Sequence, residues 1–208
     1  MPPRGVLPVE RMQTLALAAM AGVTEGDEAP LGLVAAARAG DLAAFERLMR
    51  RYERLVLVTA LRLAGSMPDA QDVSQEVFLK LYRNLGKLEE DALTTWLYRV
   101  TVNACYDLRR RRGRRPESPV EEAGQLAAAG DDPQQALTAA ERRRVLDLSL
   151  RMLPEKERAA IVLRDLEGLT TPEVARVLGS SEATVRSQIS KGRVKMRGFV
   201  ERYFGRRP

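Results

Sequence analysis

The stretch Thr170–Arg193, TTPEVARVLGSSEATVRSQISKGR, decides how this chain is read. Two short runs of helical period meet across Leu178-Gly179-Ser180-Ser181, and the second fills with Arg and Lys. Thr170 and Glu173 stand at capping-box spacing, and Pro172 falls in a first turn, where a missing N–H costs little. Val174, Val177 and Leu178 share one face, Ala175 is small enough for a close helix crossing, and Gly179 permits a tight turn. Ser181 then caps a second helix whose buried stripe is Val185, Ile189, Gly192, Met196 and Phe199. Glu182, Arg186, Ser187, Ser190, Lys191 and Arg193 are left outside. Such groups reach base edges and phosphates from a helix in the major groove. The plainer reading is an ordinary helix pair with a solvated charged face.

The 208 residues include 34 Lys+Arg against 28 Asp+Glu, a net +6 that favours a polyanionic partner. Their distribution says more. Arginines crowd into Arg109–Arg115 and again between Arg186 and Arg207, while acids gather between Glu117 and Asp132. The chain has no His, and Cys105 is its single cysteine. Disulfide frameworks, Cys/His zinc sites and His-based triads are therefore excluded, and no metal or cofactor is expected. Nor is there a nucleophile–base pair to support an enzyme. Cys105 reads as a small apolar residue on a helix, with a reactive thiol as the alternative; a reducing compartment fits. Met12–Ala21, MQTLALAAMA, has the outline of a short signal core behind Arg4 and Arg11. Glu10 interrupts that basic flank and the run is short and Ala-rich, so residues 1–29 are expected to be a disordered or weakly helical extension. No run is long enough to cross a bilayer, and no membrane insertion is expected.

Nearly every patterned segment has helical period. Asp41 reads as an N-cap, after which Phe45, Leu48, Tyr52, Leu55, Thr59 and Leu63 recur at three and four residues. Gly65-Ser66-Met67-Pro68 stops that helix and starts another, whose stripe is Val73, Val77, Leu81 and Leu85. A third long helix begins near Thr94, with Leu97, Val100, Ala104 and Leu108 on its apolar face. No segment shows sustained strand alternation. The fold class is therefore all-α. It divides into a helical domain over 30–112, a flexible acidic linker over 113–138, and a second small domain over 139–205 that carries the helix-turn-helix. The second domain is broken at Pro154, Gly168 and Gly179 into about four helices.

Two further constellations lie in the first domain. Opposite the apolar stripe of DAQDVSQEVFLKLYRNL (69–85) stand Asp69, Asp72, Gln75, Glu76 and Arg83. Alone, that is a solvated acidic face; as a functional surface it would dock a basic helix. On the third helix Arg99, Asn103, Tyr106 and Arg110 fall on one stripe away from the buried face. Arg and Asn hydrogen-bond bases and phosphates, Trp96, Tyr98 or Tyr106 can stack on an unpaired base, and the run from Arg109 supplies a salt-dependent phosphate term.

GDLAAFERLMRRYERLV, DAQDVSQEVFLKLYRNL, TWLYRVTVN with its Arg run, LPEKERAAIVLRDLEGLTTPEVARVLG and SSEATVRSQISKGR follow one another along the chain. In this order the blocks resemble an extracytoplasmic-function sigma factor, the minimal bacterial RNA polymerase initiation factor. The resemblance covers about Leu33 to Phe199. It implies a non-catalytic cytoplasmic protein whose partners are bacterial RNA polymerase core and promoter DNA, with no small-molecule substrate. Many members of the family are held inactive by an anti-sigma factor, a partner whose presence nothing in this sequence encodes. The polymerase clamp would be met by Asp69, Asp72, Gln75, Glu76 and Phe78. Minus-ten DNA would be met by Trp96, Arg99, Asn103, Tyr106, Arg109 and Arg110. Asn103 matches the asparagine of the family's strand-opening helix, and Leu88–Thr94 matches its base-capturing loop. Minus-thirty-five DNA would be read by Ser181, Arg186, Ser187, Ser190, Lys191 and Arg193. The acidic linker would thread the polymerase channel. Gln71 stands where the family often has Glu, and the loop from Lys87 to Leu93 carries no aromatic residue. Gln188 and Ser190 stand where Arg and a larger residue are common. Gly192 replaces a common alanine, which by propensity weakens its helix by up to about 1 kcal/mol. The rival reading is a helix-turn-helix regulator with a helical sensor or dimerisation domain in front. A sensor would not need the Asn, aromatic and Arg stripe.

Overall fold

The computed structural model describes residues 30–112 and 133–205. The N-terminal extension over 1–29 and the acidic stretch over 113–132 lie outside the described residues. Among the described residues every regular element is helical, and they form two units. The first comprises α1 (Pro30–Arg38), α2 (Leu42–Ala64), α3 (Met67–Asn84) and α4 (Leu93–Arg112), with short 3-10 turns at Leu85–Lys87 and Glu90–Ala92. The second comprises α5 (Pro133–Arg151), α6 (Glu155–Ile161, running into a π turn over Val162–Leu166), α7 (Thr171–Leu178) and α8 (Glu182–Gly205).

Local chemistry sets the boundaries. The Asp41 carboxylate accepts from the backbone N–H groups of Ala43 and Ala44, satisfying two donors at the start of α2. Gly65 ends that helix at φ 87°, a left-handed conformation that disfavours a Cβ. Ser66 then caps α3, with Pro68 in its first turn. Helix α5 begins at Pro133, inside the stretch that composition assigns to the linker. The helical part of the second unit is longer than the sequence pattern implies.

Leu48, Val56, Val73, Val77, Leu81, Leu97 and Val102 fill the centre of the first unit, each at most 2% exposed. Full burial of one such side chain is worth about 1.5–3 kcal/mol. Leu150, Ile161, Leu163, Val174 and Val185 do the same for the second. The apolar cluster runs on from one unit into the other without a break. The two units are therefore packed together, α4 lying against α7.

Polar bonds stitch this seam. Arg158, 3% exposed, donates to the carbonyls of Leu150, Arg151 and Leu153 at the end of α5 and to Leu63 O at the end of α2, at 2.8–3.0 Å. Burial pulls the proton affinity of its guanidinium down, to about 10, so it remains a cation at neutral pH. It stands where two helix C-termini concentrate partial negative charge. Arg151 donates to Gly65 O at 2.7 Å, and Arg62 pairs with Glu167 at 2.7 Å.

Candidate nucleic-acid interface

In the second unit the helix-turn-helix is built by short-range bonds. The Thr170 backbone N–H donates to Glu173 Oε2 at 2.7 Å and the Glu173 N–H donates back to Thr170 Oγ1 at 3.4 Å, closing the capping box. The Thr170 hydroxyl, which donates to Glu173 Oε2 at 2.6 Å, and then the Thr170 N–H hold the Glu173 carboxyl below its ordinary range. Gly179 turns the chain at φ 58°, and Ser181 Oγ accepts from Thr184 N–H at 3.2 Å to start α8. Val185, Ile189 and Gly192 are buried, Met196 and Phe199 half-buried. Rotation about the helix axis then leaves Ser181, Arg186, Ser187, Ser190, Lys191 and Arg193 exposed.

These side chains are not equivalent. The Arg186 guanidinium leans on Glu182 at 2.6 Å, one turn back. Arg193 is held by Asp165 through two hydrogen bonds of 2.9 and 2.6 Å, which raise its proton affinity further. Lys191 has no carboxylate in salt-bridge reach among the described residues. Gln188 is half-buried, with its Oε1 fully enclosed, and is not a free base reader in this arrangement. A groove of about 390 Å³ runs beside α8, lined by Arg164, Thr171, Arg186, Ser190, Arg193 and Arg197 among others. Arg164, Thr171 and Arg197 escaped the sequence reading. Arg197 follows Arg186, Ser190 and Arg193 at helical spacing and could have been found. Arg164 comes from the π turn and had no local signal.

In the first unit the candidate strand-opening residues lie along α4. Asn103, Arg99 and Arg110 are exposed, while Trp96, Tyr106 and Arg109 are half-buried. Arg99 donates to Arg176 O at 2.6 Å, and Arg109 lies 3.6 Å from Glu155. Burial, then Glu155, pushes the Tyr106 phenol up to about 12. Tyr98 is 5% exposed and donates its hydroxyl to Glu167 at 3.2 Å. Each arginine of the run at the end of α4 has a carboxylate near it. Arg110 pairs with Asp107, Arg111 lies 3.6 Å from Glu76, and Arg112 pairs with Asp69.

The candidate docking helix α3 divides on inspection. Asp72 and Gln75 are exposed, and Glu76 is half-buried and bound by Lys80 at 2.7 Å. Asp69 is 2% exposed and is spent on Arg112, and Phe78 at 4% belongs to the core beside Val77 and Leu81. Neither of these two presents a surface to a partner here. Of the five candidates, Asp72, Gln75 and Glu76 are the ones that keep polar surface.

Two helical units, one carrying a helix-turn-helix and the other an exposed Asn and Arg face along α4, present surfaces suited to nucleic acid. Family models bear this out: Sigma-70 region 2 matches residues 48–115 and Sigma-70 region 4 matches residues 143–196. The chain is 34% identical over 183 residues to the ECF RNA polymerase sigma factor SigE of Mycolicibacterium smegmatis, covering 86% of this chain and 71% of that protein. It is 36% identical over 170 residues to the ECF RNA polymerase sigma-E factor of Escherichia coli, covering 77% and 88%. Among solved structures, CnrH in complex with the cytosolic domain of CnrY superposes with a TM-score of 0.59 at 27% identity, over 81% of this chain and 95% of that one. The chain belongs to the extracytoplasmic-function family of RNA polymerase sigma factors. It binds RNA polymerase core and directs promoter recognition, strand opening and the start of transcription. The chemistry is the polymerase's. No described helix is long and apolar enough to cross a membrane.

Proposed function

We propose that the three steps of sigma action divide among α3, α4 and α8, and that the chain works in the cytoplasm. Asp72, Gln75 and Glu76 on α3 meet a basic helix of the polymerase clamp. Asn103, Arg99, Tyr106 and Arg110 on α4, with Trp96, Arg109 and the loop Leu88–Thr94, hold the non-template strand of the minus-ten element. Arg186, Ser187, Ser190 and Lys191 on α8 read the minus-thirty-five element, with Ser181 and Arg193 at the edges of that face. An anti-sigma factor is the further expected partner, and CnrH, seen in complex with the cytosolic domain of CnrY, is the relative that motivates it.

The supporting observation is Asn103. It is an exposed amide on α4 between Arg99 and Arg110, beside half-buried Tyr106. Such a face gains little from closed duplex, whose bases are stacked and paired. It gains from an unstacked base, whose extrusion costs a few kcal/mol. Strand opening follows by differential binding.

Asn103→Ala is therefore expected to impair open-complex formation on a duplex promoter, and much less on a template already mismatched at the minus-ten element. Permanganate reactivity of unpaired thymines reports opening on both. Equal defects on the two templates would show that Asn103 does not act through strand separation.

A further inference from the structure

We propose that the outer side of α2 is a further nucleic-acid surface, one that holds the phosphate backbone of duplex DNA flanking the two promoter elements. Its chemistry needs only a DNA-binding chain. Its place on the promoter rests on the assignment of the two elements to α4 and α8.

A run of arginines carries the inference. Arg47, Arg50, Arg51 and Arg54 are all exposed, and their spacing puts them on one stripe of the helix. Phe45, Leu48 and Val56, each at most 3% exposed, mark the opposite side, where α2 meets α3 and α4. The stripe therefore lies apart from the docking residues of α3, the Asn103 face of α4 and the recognition face of α8. From Arg47 to Arg54 is about 10 Å of helix axis. Duplex DNA carries about six phosphate charges over such a length, so the two charge densities are comparable.

The make-up of the stripe selects the partner. A protein–protein interface has an apolar centre from which charged side chains are depleted. Between Arg47 and Arg54 no large apolar side chain is exposed: Leu48 is buried, and Met49 and Tyr52 are half-buried against the core. The nearby acids, Glu46 and Glu53, are half-buried along one edge and leave the stripe with an excess of positive charge. Every cation in it is a guanidinium, whose planar fork matches phosphate oxygens in pairs. No amide or exposed ring stands beside these arginines as Asn103 and Tyr106 stand on α4. Such a face holds the backbone and does not read sequence.

Arg50→Gln combined with Arg54→Gln tests the proposal, because both side chains are exposed and glutamine keeps helix propensity. Preformed holoenzyme containing the full chain is titrated with a duplex promoter that it transcribes, across a salt series, with and without flanking duplex. On the long fragment the double variant is expected to flatten the slope of log K against log salt by about two. On the trimmed fragment its slope should match the parent's. Arg50→Lys with Arg54→Lys keeps the charges and should keep the parental slope on both. Affinity for core polymerase should not change. Equal slopes for the glutamine variant and the parent on the long fragment would overturn the proposal and leave a solvated helix face. An equal loss on both fragments would overturn it too, since the stripe would then touch the elements themselves. So would weaker core binding with unchanged slopes, which would assign the stripe to an acidic surface of the polymerase. Failure of the α4 reading has a separate signature, normal opening of duplex promoter by holoenzyme carrying Asn103→Ala, which the salt slopes do not share.

Discussion

A Cβ built on Gly192 would stand 2.8 Å from Cγ1 of Ile161. Real side chains do not approach so closely, and Ile161 is 1% exposed in a close-packed core. The glycine that helix propensity marks as a weakness is what lets α8 cross α6. Alanine would gain about 1 kcal/mol of propensity. Overpacking a tight core costs about 1–3 kcal/mol. The clash wins, and Gly192→Ala is expected to lower stability by about 1 kcal/mol in denaturant titration. In an Ile161→Ala background the same change should become stabilising. A stabilising effect in the parent protein would refute the packing account.

Asp165 restrains Arg193 on the edge of the recognition face. Asp165→Asn removes a negative charge beside the groove and loosens the guanidinium for a phosphate. Binding to non-specific duplex should strengthen, and the slope of log K against log salt should steepen by about one. Base preference at the minus-thirty-five element should not change. Arg186→Ala is expected to do the reverse, relaxing base preference and costing about 1–3 kcal/mol at the cognate element. Promoter-variant binding measured across a salt series separates the two outcomes.

Cys105 is closed off from reagents. Burial first, and the nearby Asp69 carboxylate second, push its thiol up to about 12. The unfolded thiol titrates near 8.5. Between those values the folded chain keeps a proton that the unfolded chain has lost, so stability falls as pH rises from about 9 toward 12. Cys105→Ala should flatten that loss in denaturation curves taken at pH 8 and 10.5. A thiol-reactive disulfide reagent at pH 8 should label the native protein at a negligible rate and the unfolded protein at once.

Thr170→Ala removes the hydroxyl that closes the capping box and is expected to cost about 1 kcal/mol. Glu173 gives an independent readout. Its carboxyl titrates low in the folded chain, so its share of stability is present above the ordinary carboxylate range and is lost as pH falls through it. In Thr170→Ala its titration, followed by NMR, should move up toward the ordinary value.

Helix ends at Asp41, Gly65, Ser66, Thr170 and Gly179 are legible in the sequence because each is decided by residues within four positions. Helix α4 shows where that reading stops. Its pattern announces one apolar face through Leu97 and Ala104, yet Tyr98, Thr101 and Cys105 are buried as well. Helices α2 and α7 pack on further sides of it, and contacts with partners so distant in sequence leave no local mark. Arg158 illustrates the same limit. In EKERAA it looks like a solvated helix charge, and only the meeting of two helix ends makes it a buried donor. Phe78 differs: the resemblance assigns it to the docking helix, while its place beside Val77 and ahead of Leu81 puts it in the core, where it is 4% exposed.

The four bonds of Arg158 are unequally shared. Three end on carbonyls of its own unit and one on Leu63. Separation of the units would therefore release a single acceptor at the end of α2, which water can satisfy, and would leave the guanidinium still bonded to Leu150, Arg151 and Leu153. No buried charge is orphaned by the movement, so the usual several-kcal/mol penalty for a stranded ion does not arise. Arg158 is thus anchored in its own unit, and the bond it makes across the seam is not what keeps its charge paired.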